Sequence, residues 1–110
     1  MLLQNMKTDI SCNRFGGNGD VIIEHYIDEG MLNDTVVMYA KVTLKPGCSL
    51  GYHVHTGNSE TIVVLQGTAE YNDNGTPMTL HAGDRVHCPN GEGHAIGNPV
   101  NATQDLLLQA

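Results

Sequence analysis

From Phe15 onward, short apolar runs are broken by glycine or a turn-forming cluster about every eight to twelve residues, the spacing of short antiparallel strands. VIIEHYI (21–27) is apolar and β-branched, and DEGMLND (28–34) turns the chain. TVVMYAKVTL (35–44) predicts a longer strand that stops at Pro46-Gly47, where proline cannot continue a ladder. GYHVH (51–55), the turn TGNS and ETIVVLQ (60–66) follow, closed by Gly67. TAEYND (68–73) runs into Asn74-Gly75, a two-residue hairpin signal because both residues accept positive φ. PMTL (77–80) and DRVHCP (84–89) come next, and AIGN and TQDLLLQ supply closing strands. Residues 2–6 are too few for a helix. The pattern predicts an all-β, single-domain antiparallel β-barrel over residues 21–110, preceded by an N-terminal arm and loop at 1–20.

Composition narrows what such a barrel can meet. The 110 residues suffice for one modest core, and the formal net charge is −7 with only five lysines and arginines. Lys7, Arg14, Lys41, Lys45 and Arg85 form no basic stripe, so neither nucleic acid nor an anionic membrane is an expected partner. Apolar runs such as Ile62 to Leu65 are far too short to span a bilayer. The start MLLQNMKTDI lacks the pattern of a secretory signal. Cys12, Cys48 and Cys88 are odd in number and widely spaced, which favours free thiols packed as small apolar filler in a cytoplasmic setting.

The candidate chemistry lies in GYHVHTGNSE (51–60). Alternate residues of a strand share a face, so His53 and His55 point together, about 6.6 Å apart along the chain. Gly51 falls on that face and leaves the space beside the imidazoles open. After the turn, Glu60 begins the next strand and can bring a carboxylate toward the pair. Two imidazoles and a carboxylate suit a divalent transition metal, although an HxH on a strand also occurs as two half-exposed histidines.

A second segment gives this stretch its frame. Gly47, His53, His55, Glu60 and Gly67 are spaced by five, one, four and six residues, and Gly83, Pro89, Gly91, His94 and Asn98 by five, one, two and three. These sequences resemble the two signature motifs of the cupin superfamily, with the short spacer (68–82) of small microbial cupins. The resemblance implies a small jelly-roll barrel, with His53, His55, Glu60 and His94 holding one divalent transition metal ion (Mn, Fe, Ni, Zn or Co). Three imidazoles and a carboxylate would leave coordination positions for water, dioxygen or substrate. Gly47, Gly67 and Gly83 are expected at strand ends in glycine-favoured conformations, and Asn98 as a residue that ties down a turn. Gly93 stands where members often carry proline, which is expected to loosen the loop that holds His94.

The pocket is expected inside the barrel. Strand parity points Ala69 and Tyr71 inward, and Met38, Ala40 and Val42 with them; Tyr39 and Lys41 then face out. Such a pocket is apolar with few cations, so a small anion would be anchored mainly by the metal. Tyr71 is the inward polar group that could act in catalysis. His25 and His81 lie outside the motifs and are expected on the surface or at an interface, with Arg85 and His87 turned outward from Val86 and Cys88. The expected function is metal-dependent action on a small molecule in the barrel, as a dioxygenase, decarboxylase, isomerase or lyase; the alternative is a non-catalytic module that binds a small acid or sugar. Apolar residues on both faces of TIVVL (61–65) exceed what one interior can cover and suggest a homodimer.

Overall fold

A computed structural model describes residues 1–32 and 38–110. Ten strands form among them: β1 (Thr8–Cys12), β2 (Asp20–His25), β3 (Ala40–Leu44), β4 (Ser49–Val54), β5 (Glu60–Gln66), β6 (Thr68–Asp73), β7 (Thr76–His81), β8 (Arg85–Cys88), β9 (Gly93–Gly97) and β10 (Leu106–Gln109). They build two antiparallel sheets, β1-β2-β3-β10-β5-β8 and β4-β9-β6-β7. This is the all-β architecture expected from the sequence. Among the described residues, no helix is long and apolar enough to cross a membrane.

Period-2 patterning explains which faces are buried. On β5, Ile62 and Val64 are buried while Thr61 and Leu65 are exposed, and on β6 Ala69 and Tyr71 are buried between exposed Thr68 and Glu70. Leu44, Leu106, Leu108 and Val21 from the larger sheet meet Leu80 and Ile96 from the smaller one in a single apolar cluster. Fully burying a side chain of that size contributes about 1.5–3 kcal/mol. Asn98 is 5% exposed, and its side-chain amide donates to the carbonyls of Leu44 and Gln104, both at 3.0 Å. It thereby ties the end of β3 to the approach to β10. Gly47, Gly67 and Gly83 have φ of +82°, +95° and +93°, which is why these strand ends carry no side chain.

Residues 1–20 hold more structure than an arm and loop. Thr8–Cys12 pairs along its whole length with β2, from Thr8 opposite Glu24 to Cys12 opposite Asp20. It is a short edge strand whose alternation is inverted, with Ile10 and Cys12 exposed and Asp9 and Ser11 half-buried, so its pattern does not announce a core-facing strand in sequence. Cys12 is exposed on this edge and is not core filler, whereas Cys88 is buried. Pairing of the expected 35–44 strand begins at Ala40; its positions 35–37 lie outside the described residues.

Between β1 and β2, residues 13–19 fold back against β4. The amide of Ser49 donates to the Asn18 carbonyl at 2.7 Å, the Asn18 amide to Ser49 Oγ at 3.0 Å, and Asn18 Nδ2 to the Gly47 carbonyl at 2.8 Å. The loop closes on itself where the Asn13 amide meets the Gly19 carbonyl at 2.9 Å. This segment decides the role of Gly51. A Cβ on Gly51 would overlap the Phe15 carbonyl and lie 2.7 Å from the Gly17 nitrogen. The space beside the histidines that the sequence left open is therefore occupied by the backbone of the loop.

Candidate metal centre

His53 on β4 and His94 on β9 are direct cross-strand partners, so their side chains leave the sheet on the same face. His55 follows β4 by one residue and stays on that face. The turn after it is sewn to the turn before β9: the Gly91 amide donates to the His55 carbonyl at 2.7 Å, the His55 amide to the Glu92 carbonyl at 3.0 Å, and the Gly57 amide to Asn90 Oδ1 at 2.8 Å. Glu60 opens β5 in the other sheet and reaches across. One ligand atom from each of His53, His55, Glu60 and His94 can be chosen so that all four lie within 4.8 Å of one another. This group could hold a metal ion.

The donor atoms fit a cation better than they fit one another. His94 Nε2 is 3.0 Å from His55 Nε2, 3.1 Å from His53 Nε2 and 3.1 Å from Glu60 Oε1. One imidazole nitrogen has a single proton or a single lone pair and can satisfy only one of these neighbours; a central cation satisfies all four atoms together.

The remaining ring nitrogens fix the tautomers. His53 Nδ1 donates to the Gly51 carbonyl at 2.8 Å, which places its lone pair on Nε2. His55 Nδ1 meets Asn58 Oδ1 at 2.8 Å, and His94 Nδ1 meets the Tyr71 hydroxyl at 2.9 Å. Burial lowers the His53 pKa, with the neighbouring imidazoles His94 and His55 adding to the effect, while the Gly51 carbonyl and Glu60 pull the other way. At neutral pH the ring is therefore the uncharged base that ligation needs. Burial pushes the Glu60 carboxyl up, but the hydrogen bond with His94 and the three surrounding histidines outweigh it and keep the group below the ordinary carboxylate range. It is an anion at neutral pH.

Tyr71, expected as an inward polar group that could act in catalysis, is buried beside His94. Its hydroxyl meets Nδ1 of His94, on the opposite side of the ring from the cluster of donor atoms. Burial pushes its phenol well above the ordinary value, so it stays protonated. Such a contact can hold the His94 ring in place. Tyr71→Phe should weaken metal affinity about tenfold while the buried ring keeps its packing, measured by competition with a chelator. Unchanged affinity would remove the positioning role.

The pocket beside the centre has a volume of about 790 Å³ and is lined by His53, His55 and Glu60 together with Phe15, Val21, Ile23, Met38, Val42 and Leu108, among others. Of the expected pocket residues, Met38 and Val42 are on its wall. Ala40, Ala69 and Tyr71 are buried but not on the wall; the single-carbon alanine side chains end within the packed core, and Tyr71 stands behind His94. His25, expected on the surface or at an interface, lines the pocket and holds Asp9 Oδ2 at 2.9 Å. His81 is exposed, as are Arg85 and His87. Phe15 was not foreseen: its ring stacks on His53 with centroids 4.0 Å apart and planes 18° from parallel. It does so with φ +54° and ψ +31°, a left-handed conformation that costs a bulky residue about 1–2 kcal/mol. No sequence signal announces such a contact.

Gly93 does not loosen the His94 segment. It lies within β9, accepts from the Asn74 amide at 2.9 Å and donates to Asn74 Oδ1 at 3.2 Å. A Cβ there would run into the Tyr52 ring, 2.5 Å from Cζ. A side chain at this position would need the exposed Tyr52 ring to turn aside.

Comparisons with known proteins agree with this geometry. The Cupin domain family model matches residues 40–107. An oxalate-binding protein of Thermotoga maritima is 33% identical over 95 residues, covering 86% of this chain and 78% of that protein. A crystal structure of a predicted oxalate decarboxylase from Thermotoga maritima superposes with a TM-score of 0.89 at 29% identity, covering 99% of this chain and 95% of that one. A mannose-1-phosphate guanylyltransferase of Sinorhizobium fredii is 32% identical over 77 residues, which amount to 70% of this chain and 15% of the enzyme.

Proposed function

We propose that this chain, which belongs to the cupin family, holds one divalent transition metal on His53, His55, Glu60 and His94 and binds a small carboxylic acid such as oxalate beside it. The observation that carries the reading is the convergence of three imidazole nitrogens and a carboxylate oxygen at the edge of a pocket. A metal so held supplies Lewis acidity toward an oxygen ligand. The protein's own contribution is orientation: Gly51, Asn58 and Tyr71 hold the rings, and the apolar wall limits water. The oxalate-binding relative and the oxalate-decarboxylase-like structure support the choice of ligand.

Calorimetry tests the whole reading. Protein loaded with manganese, iron, nickel, zinc or cobalt should bind oxalate, and chelator-stripped protein should not. Equal binding by stripped protein would overturn it. Turnover is the second reading, favoured by the His25–Asp9 pair on the pocket wall. Cleavage of the carbon–carbon bond of oxalate gives carbon dioxide and formate and takes up one proton, which an imidazole on the wall can deliver. Formate release distinguishes an enzyme from a binding module. We also propose a cytoplasmic homodimer: the three cysteines are free thiols, and Leu65 on β5 turns outward with 43% exposure.

A further inference from the structure

The loop at 13–19 brings a cation where the sequence showed none. Of the five lysines and arginines, Arg14 alone lines the pocket. Lys7 pairs with Asp9 at 3.5 Å and Lys41 with Glu24 at 3.4 Å. Among the described residues, Arg14 has neither a carboxylate within salt-bridge distance nor an acceptor for its guanidinium. Its Cζ sits over the Phe15 ring, 5.0 Å from the centroid, and that ring stacks in turn on His53. Arg14 and Phe15 thus line the same pocket as His53, His55 and Glu60. The loop is fixed by the bonds from Asn18 to Ser49 and Gly47, so the backbone that carries Arg14 is held at the pocket by the fold.

Charge gives this placement a purpose. The chain carries a net −7, so a dianion entering the pocket meets a repulsive field. With the Glu60 carboxylate among its ligands, a divalent ion would keep one positive charge for a bound dianion, and the second carboxylate gains from a partner of its own. A guanidinium presents a fork of donors that matches a carboxylate in two places. We propose that Arg14 is the specificity residue for a small dicarboxylate: the metal takes one carboxylate and Arg14 the other. The inference rests on the metal-dependent acid binding argued above and adds the residue that separates dicarboxylates from monocarboxylates.

Arg14→Gln and Arg14→Lys separate the two claims. Metal content by elemental analysis should match the unaltered protein in both variants, since Arg14 is no ligand. Oxalate affinity of the metal-loaded Arg14→Gln protein should fall about 10- to 100-fold, that of Arg14→Lys should fall less, and acetate affinity should change little in either. Oxalate binding by Arg14→Gln within twofold of the unaltered protein, or equal losses for oxalate and acetate, would overturn the role of Arg14 and leave the metal reading intact. Failure of the unaltered protein to take up metal would overturn both.

Discussion

Replacing His53 and His94 together with alanine should abolish metal uptake, taking the content from near one ion per chain to the background of a dialysed control. The size follows from sharing the binding energy among ligands. Four protein ligands to a zinc-type ion together give on the order of 12 kcal/mol at neutral pH, roughly 3 kcal/mol each. At about 1.4 kcal/mol per factor of ten, each lost ligand costs about 100-fold and the pair about 10⁴-fold. His53 and His94 are the informative pair because they face each other across β4 and β9, and removing both leaves only His55 and Glu60, whose nearest donor atoms are 3.7 Å apart. The fold should survive, since neither imidazole belongs to the apolar cluster of Leu44, Leu106 and Leu108; circular dichroism checks this. Folded double variant that still carries stoichiometric metal would place the ion elsewhere.

What the sequence made legible, and what it hid, follows from the range of the interactions involved. The strands β5 and β6 appear in the sequence with the bounds found in the structure, because alternating burial is written locally in ETIVVLQ and TAEYND. The four candidate ligands were readable because three lie within eight residues and the fourth sits in a second recognisable motif. The face of Tyr71 was readable by parity, but its role was not, because the hydroxyl's partner is His94, 23 positions away. Arg14 and Phe15 were invisible as pocket residues. Their position depends on the pairing of β1, an edge strand with inverted alternation, and on a left-handed turn at a phenylalanine that local propensity disfavours. The glycines show the same limit. Gly67 and Gly83 announce positive φ at strand ends, whereas Gly51 and Gly93 meet chain segments and rings that pack on them from far along the sequence.

Gly51→Ala should therefore act on the loop and the pocket more than on the barrel. The added Cβ would lie 2.7 Å from the Gly17 nitrogen and overlap the Phe15 carbonyl, and these are backbone atoms that no rotamer change can move aside. β4 is anchored by its ladder to β9, so the lighter element, residues 13–19, gives way. Its three bonds to Ser49 and Gly47 are worth about 1 kcal/mol each, which puts the loss at roughly 2–4 kcal/mol and the fall in Tm at roughly 8–16 °C. Gly75→Ala is the control: its φ is +99° but nothing lies within 4 Å of the new Cβ, so only the backbone strain of about 1 kcal/mol applies. Hydrogen exchange should locate the damage, with the amides of Asn18 and Ser49 exchanging faster in Gly51→Ala and the β5–β10 amides unchanged. An equal Tm for the two variants would mean that the loop is not held against β4. A loss confined to the loop would show that the segment carrying Arg14 and Phe15 is held on the barrel by its close backbone approach to Gly51 together with its bonds to Ser49 and Gly47.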